Sequence, residues 1–330
     1  MQRPPVQVRI DSGDALRYSA DVLVLKHAQE LYGVDAAVLR RLNEVGIRPR
    51  MPKRGLHRLV HTDGSLGADR VLFLGVEPLH EFGYAQIRDF GYRALSVLAS
   101  ERVAVTKLAL TIHGPGYGLD EVEAFESELA GLLDALAQGE HPEALTEVVF
   151  VEHNRSRASR LAAVLERLMP SGQVAVSEKG ALQLASAEAR QTLRSAGYSS
   201  ASKPRVFVAM PFADEMSDTF HYGIQGAVNA AGMLAERADL STFTGDVMQW
   251  VRDRIAGAHL VVADLTGGNP NVYLEVGYAW GKGVPTVLVT KELSALKFDV
   301  QGQRCIVYKS IKDLESKLAN ELRGLTVART

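Results

Sequence analysis

The stretch from Val261 to Pro285, VVADLTGGNPNVYLEVGYAWGKGVP, places two carboxylates and two side-chain amides at one strand-to-helix junction. A carboxylate fixed at such a junction can act as a nucleophile or stabilise positive charge that develops on a bound substrate. Glu275 is the candidate for that role. Asp264 is a candidate for holding ribose hydroxyls, because acidic groups at the carboxyl ends of strands do so in other nucleotide-binding folds. Asn271, one helical turn before Glu275, is a candidate for orienting it. The same residues also have plain structural uses: a glutamate early in a helix favours the helix dipole, and an aspartate after a strand forms turns.

These positions depend on the local elements. Val261-Val262-Ala263 reads as a short strand, and Thr266-Gly267-Gly268-Asn269-Pro270 supplies breakers followed by a helix start. Asn269 is placed to cap that helix, with Pro270 at its first position. Asn271, Glu275, Tyr278 and Lys282 then follow one face, and Val272, Val276 and Ala279 follow an adjoining apolar face. The spacing therefore holds Glu275 on a rigid element.

Further loops are expected to open onto the same crevice. Met210-Pro211-Phe212-Ala213-Asp214 follows an apolar strand, and Phe212 is suited either to stack on a base or to plug the domain edge. Met210, Arg237 and Asp239 are further substrate-binding candidates, with a surface ion pair as the alternative for the last two. Residues 241–246 read as a polar loop capped into a helix by Asp246, suited either to close over a ligand or to ordinary capping. In the N-terminal half, Gly114, Gly116 and Gly118 lie between an apolar strand and a helix beginning near Asp120. That order suits either a loop whose N–H groups approach an anion or an ordinary tight turn.

The 37 basic and 39 acidic side chains nearly cancel over 330 residues, which leaves no broad charge footprint for nucleic acid or an anionic membrane. Of the 9 histidines only His57 and His61 stand at a metal-ligand spacing, with no cysteine pair to complete a set, so no metal site is expected. Cys305 is the single cysteine and is expected as a buried strand residue. No phosphate-binding Walker loop or G-x-S-x-G elbow is present. The start of the chain lacks the apolar centre of a signal peptide and no long apolar run follows, so a cytoplasmic location is expected.

Strand and helix patterns alternate in both halves, which predicts two α/β domains, each with a largely parallel sheet flanked by helices. The domains are expected at 1–178 and 204–330. The Ser-rich segment around Gly197 to Pro204 closes a linker expected at 179–203.

From about Lys203 to Leu325 the chain resembles the nucleoside 2-deoxyribosyltransferase-like group, which is akin to TIR domains. The resemblance is carried by Val206-Phe207-Val208-Ala209-Met210-Pro211-Phe212, by the Arg237 and Asp239 pair, and by the block from Ala263 to Ala279. It implies a flavodoxin-like domain in which Glu275 cleaves or transfers an N-glycosidic bond of a nucleotide or nucleoside, without a cofactor. It also makes a homo-oligomer an expectation. NAD is the favoured substrate, because the partner domain has a regulatory character; a gated NAD-consuming site is a device of defence effectors. A salvage deoxyribosyltransferase and a non-catalytic nucleotide sensor are the alternatives. The N-terminal half, through Asp14, the strand Ala20-Asp21-Val22-Leu23-Val24 and the loop at 113–118, resembles macro domains and the macro-like domain of leucine aminopeptidases. It has Lys26-His27-Ala28-Gln29-Glu30 where ADP-ribose-binding macro domains carry an asparagine-rich segment. This resemblance implies a ligand-sensing or assembly role.

Overall fold

The computed structural model describes residues 5–175, 186–237 and 247–327. The chain divides into two compact units, Met1–Gly114 with Glu121–Ala201 and Pro115–Asp120 with Ser202–Thr330. Each is an α/β unit built on a largely parallel sheet with flanking helices.

In the first unit the chain runs β1 (Val6–Ser12), β2 (Ala20–His27), α1 (Gly33–Glu44), β3 (His57–His61), β4 (Ala68–Gly75), α2 (Tyr84–Ser100) and β5 (Lys107–Leu110). It continues with α3 (Glu121–Gln138), β6 (Glu147–Glu152), α4 (Arg155–Leu168), β7 (Gln173–Val174) and α5 (Ala187–Ser195). The sheet order is β3-β4-β2-β5-β6-β1-β7, with β3 and β7 antiparallel to their neighbours and the rest parallel. Parallel strands covered on both sides need continuous apolar runs. Val22–Leu25, Val71–Leu74 and Val148–Val151 provide them, with no residue above 2% exposure. The edge strand β3 carries no such pattern: of HRLVH only Val60 is buried.

The expected linker is corrected in its described part; residues 176–185 lie outside the described residues. Helix α5 and the segment after it belong to the first unit. Arg88 of α2 donates from Nη1 to the carbonyl of Leu193 at 2.9 Å, and the Gly197 N–H donates to Ser200 Oγ at 3.0 Å. Ala196 and Ser200 are buried. The serines that gave this stretch its linker composition serve here as internal hydrogen-bond partners.

At the end of β2, Lys26 Nζ lies 2.8 Å from Asp35 Oδ2 in α1, and both side chains are buried. Burial raises the Asp35 carboxyl above its ordinary range even with Lys26 beside it. Removing one partner of such a pair leaves an uncompensated charge. Lys26→Met is expected to lower unfolding free energy in urea by ~3–5 kcal/mol, and the double change Lys26→Met/Asp35→Leu to recover most of that loss.

The second unit runs β8 (Arg205–Ala209), a π-helix over Thr219–Gln225, α6 (Gly226–Ala230), β9 (Leu234–Glu236), α7 (Val247–Ala256), β10 (Leu260–Asp264), α8 (Pro270–Gly281), β11 (Thr286–Thr290), β12 (Cys305–Val307) and α9 (Ile311–Val327). All its strand pairs are parallel, in the order β12-β11-β10-β8-β9. Counted within the unit this is the flavodoxin-like order 2-1-3-4-5, whose switch point falls between β8 and β10. Alternate strand residues supply two cores. Val206, Val208 and Val262 pack with the π-helix, α6 and α9, whereas Phe207, Ala209, Val261 and Ala263 pack with α7 and α8. The sequence pattern predicts one α-helix over 219–231; the π-turns replace its first half, where Gly223 meets Leu314 of α9.

Candidate functional site

In doubly wound sheets, ligands bind outside the carboxyl ends of the strands at the switch point. The loops after β8 and β10 open there, and α8 begins there. Asn269 caps α8 by accepting from the Asn271 N–H at 2.9 Å, with Pro270 at the first helical position. Gly267 and Gly268, with φ of 78° and 65°, make the left-handed turn between β10 and the cap that residues with a Cβ rarely adopt.

Helix α8 buries Val272, Val276 and Ala279 against the sheet. Glu275 lies beside that stripe and is half-buried. Burial pushes its carboxyl up to about 7, and no charge or hydrogen bond from the described residues offsets the effect. Asn271 is exposed and its backbone N–H goes to the cap. No hydrogen bond among the described residues joins it to Glu275, which corrects the expected orienting role.

Asp264 is also corrected. It has 0% exposure, and both of its oxygens are engaged: Oδ1 accepts from the Thr266 N–H at 2.9 Å and Oδ2 from the Tyr308 hydroxyl at 2.7 Å. A side chain without accessible surface does not reach a ribose. It organises the floor of the site instead, since Thr266 Oγ1 also lies 3.3 Å from Tyr308 and accepts from the Lys291 N–H at 3.1 Å. Sequence reasoning missed Tyr308. It stands at the end of an apolar strand run, as Asp264 does, and burial raises its hydroxyl above the ordinary range. Cys305 of β12 is half-buried rather than buried, and its thiol is pushed up to about 11 by burial and by Asp264.

Met210 is buried and accepts from Arg237 Nη1 at 3.9 Å. The Arg237 guanidinium stacks 4.3 Å over the Phe220 ring and 5.6 Å from that of Phe212, which is 47% exposed. Met210, Phe212 and Arg237 thus come together, with Met210 as support beneath the other two. Asp239 and the loop at 241–246 lie outside the described residues. The glycine loop divides: Gly114 belongs to the first unit, whereas Gly116 and Gly118 belong to the second, a correction to its reading as one N-terminal anion cradle. At Gly118 a Cβ would lie 2.9 Å from the Arg237 carbonyl oxygen, so this backbone is filled by protein.

Among the described residues, no group of His, Cys, Asp or Glu is placed to hold a metal ion, and no helix is long and apolar enough to cross a membrane.

No family model and no curated protein matches the chain. Among solved structures it is similar to a Trypanosoma brucei macrodomain in complex with ADP, at 19% identity and a TM-score of 0.39 over 48% of this chain and 69% of that one. It is similar to a Clostridium botulinum CMP N-glycosidase at 19% identity and a TM-score of 0.30, over 36% of this chain and 98% of that one. An Oceanobacillus iheyensis macrodomain with MES bound matches at 15% identity and a TM-score of 0.34, over 48% of this chain and 92% of that one.

Two stability predictions follow from the buried carboxylates. A folded-state pKa of about 7 against an ordinary 4.5 means that the folded protein holds the Glu275 proton more tightly, so the group costs stability as pH rises through that window. Glu275→Gln is expected to be more stable than wild type in urea unfolding at pH 8, by on the order of 1 kcal/mol after allowance for partial solvent access, with the gap closing by pH 4. Tyr308→Phe strips Asp264 of a buried donor and is expected to cost about 1–3 kcal/mol in denaturant unfolding, whereas removing an exposed hydroxyl costs little.

Proposed function

We propose that the C-terminal unit cleaves, or transfers across, the N-glycosidic bond of a nucleotide, with NAD the favoured substrate. The observation that carries this reading is Glu275, a desolvated carboxylate with no hydrogen-bonding protein partner among the described residues, fixed on a helix that starts at the switch point of a doubly wound sheet. A carboxylate whose desolvation is already accomplished interacts strongly with positive charge developing on a sugar. In the covalent form of the step, a Glu275 oxygen bonds to the anomeric carbon while the C–N bond breaks and the base leaves with the electron pair. Water or a second base then attacks the same carbon and the carboxylate is regenerated; with water, the surplus proton passes to solvent. Nicotinamide leaves NAD as a neutral molecule and takes up no proton, so one ionised carboxylate suffices. In this reading Phe212 stacks on the base and Arg237 binds a phosphate, supported by the exposure of Phe212 and its nearness to the Arg237 guanidinium.

The test is chromatography of released bases after incubation with NAD and a nucleoside and nucleotide panel. Glu275→Gln is expected to reduce release at least ~100-fold, equivalent to about 3 kcal/mol of barrier, with folding intact. Because the ionised form reacts, wild-type kcat/KM is expected to climb with pH up to about 7 and then level off. Near-wild-type turnover by the amide variant would reject the catalytic role of Glu275, and binding without base release by wild type would leave a nucleotide-binding module.

A further inference from the structure

The segment Pro115–Asp120 follows Gly114 of the first unit and precedes α3 of the same unit, yet its own residues group with the second. Its last residue, Asp120, meets β9. This three-residue strand is an edge of the sheet, with β8 as its neighbour, and an edge strand presents backbone groups that need another partner. Asp120 Oδ2 accepts from the Ala235 N–H of β9 at 3.2 Å, and both residues are 1% exposed. The Asn229 amide, oriented to satisfy its neighbours, donates to the same Asp120 oxygen and to the Met233 carbonyl, each at 3.1 Å.

Gly118 holds the next position along. Its φ of +92° is left-handed, and an added Cβ would lie 2.9 Å from both the Arg237 carbonyl oxygen and Trp250 Cη2. From α7, Arg254 lies 5.0 Å over the Trp250 ring and donates to Glu236 at 2.6 Å. The backbone leading into Arg237 is therefore held by β8, by α7 and by a segment contributed from more than a hundred residues earlier in the chain. The Arg237 guanidinium itself stacks over Phe220 and lies near Phe212.

We infer that Pro115–Asp120 is a positioning element of the C-terminal site: it fixes the end of β9 and so aims Arg237 at the phosphate of a nucleotide substrate. This rests on the N-glycosidase reading for what Arg237 contacts. Glu275 then governs the chemical step, and the segment governs binding through Arg237. An interaction made equally in the ground and transition states acts on KM and leaves kcat alone. The spacing of a motif confined to 204–330 carries no trace of the segment.

The experiment uses the full-length chain with NAD and a panel of nucleoside 5′-monophosphates. Gly118→Ala is expected to raise KM at least tenfold with kcat within threefold. Asp120→Ala is expected to do the same, and Asp120→Asn, which keeps the acceptor, to stay within threefold of wild type. Gly139→Ala is the control for left-handed strain, because Gly139 has φ +73° with no atom near an added Cβ; it is expected to leave both constants within twofold. Calorimetric Kd values for the same ligands, measured in a Glu275→Gln background, read binding without turnover. Unchanged KM and Kd in Gly118→Ala, or a fall in kcat at constant KM, would overturn the inference. If wild type binds a nucleotide but releases no base, the catalytic reading fails while the Kd ratio still decides the positioning role. A wild type that neither binds nor cleaves any of them overturns both.

Discussion

A carboxylate with no solvent access must have its oxygens satisfied by the protein, and Asp264 shows what that requirement does to a whole sheet edge. The Tyr308 hydroxyl reaches it from beyond β12, and the Thr266 N–H reaches it from the loop that follows β10. Thr266 in turn accepts from the backbone just after β11. One buried group thereby ties together the carboxyl ends of three neighbouring strands. The turn through Gly267 and Gly268 starts from that fixed point, the Asn269 cap follows, and the register of α8 is set before Glu275 is reached. The position of Glu275 is thus a consequence of how Asp264 is satisfied.

Glu275 and Asp264 are two acidic residues of one motif with opposite treatments. Asp264 is fully buried and accepts two hydrogen bonds; Glu275 is half-buried and accepts none from the described residues. The first arrangement stabilises a fold. The second weakens it as pH rises from about 4.5 to about 7 and stays costly above that, and a cost of that kind is common where a reacting group is kept desolvated. The contrast assigns structure to one carboxylate and chemistry to the other more sharply than their spacing does.

In the first unit, polar groups are buried for a different purpose. Lys26 and Asp35 neutralise each other beneath α1 at the end of β2, in the region where the sequence departs from the asparagine-rich pattern of macro domains. Arg88 donates from Nη1 to the Leu193 and Ala196 carbonyls at the end of α5 and from Nε to Asp134, which fastens the tail of the unit. Both arrangements put charged side chains to internal use, and neither offers them to a ligand.

Much of this was legible in the linear chain. The alternation of strand and helix, the extended apolar runs, the Asn269-Pro270 helix start and the placement of Glu275 next to an apolar stripe are all local properties, set by backbone geometry and side-chain periodicity within a few residues. The edge strands β3 and β9 were not legible, because three to five residues with mixed polarity carry no period. Nor were the Tyr308 hydrogen bond to Asp264, the stacking of Arg237 on Phe220, or the placement of Gly118 beneath Arg237. Those pairings join residues 17 to 119 positions apart. Sequence determined which residues are able to serve, through their chemistry and their local helix or strand position. Tertiary structure decided which of them meet and which remain exposed, because burial and hydrogen-bond satisfaction depend on neighbours that only the folded chain brings within reach.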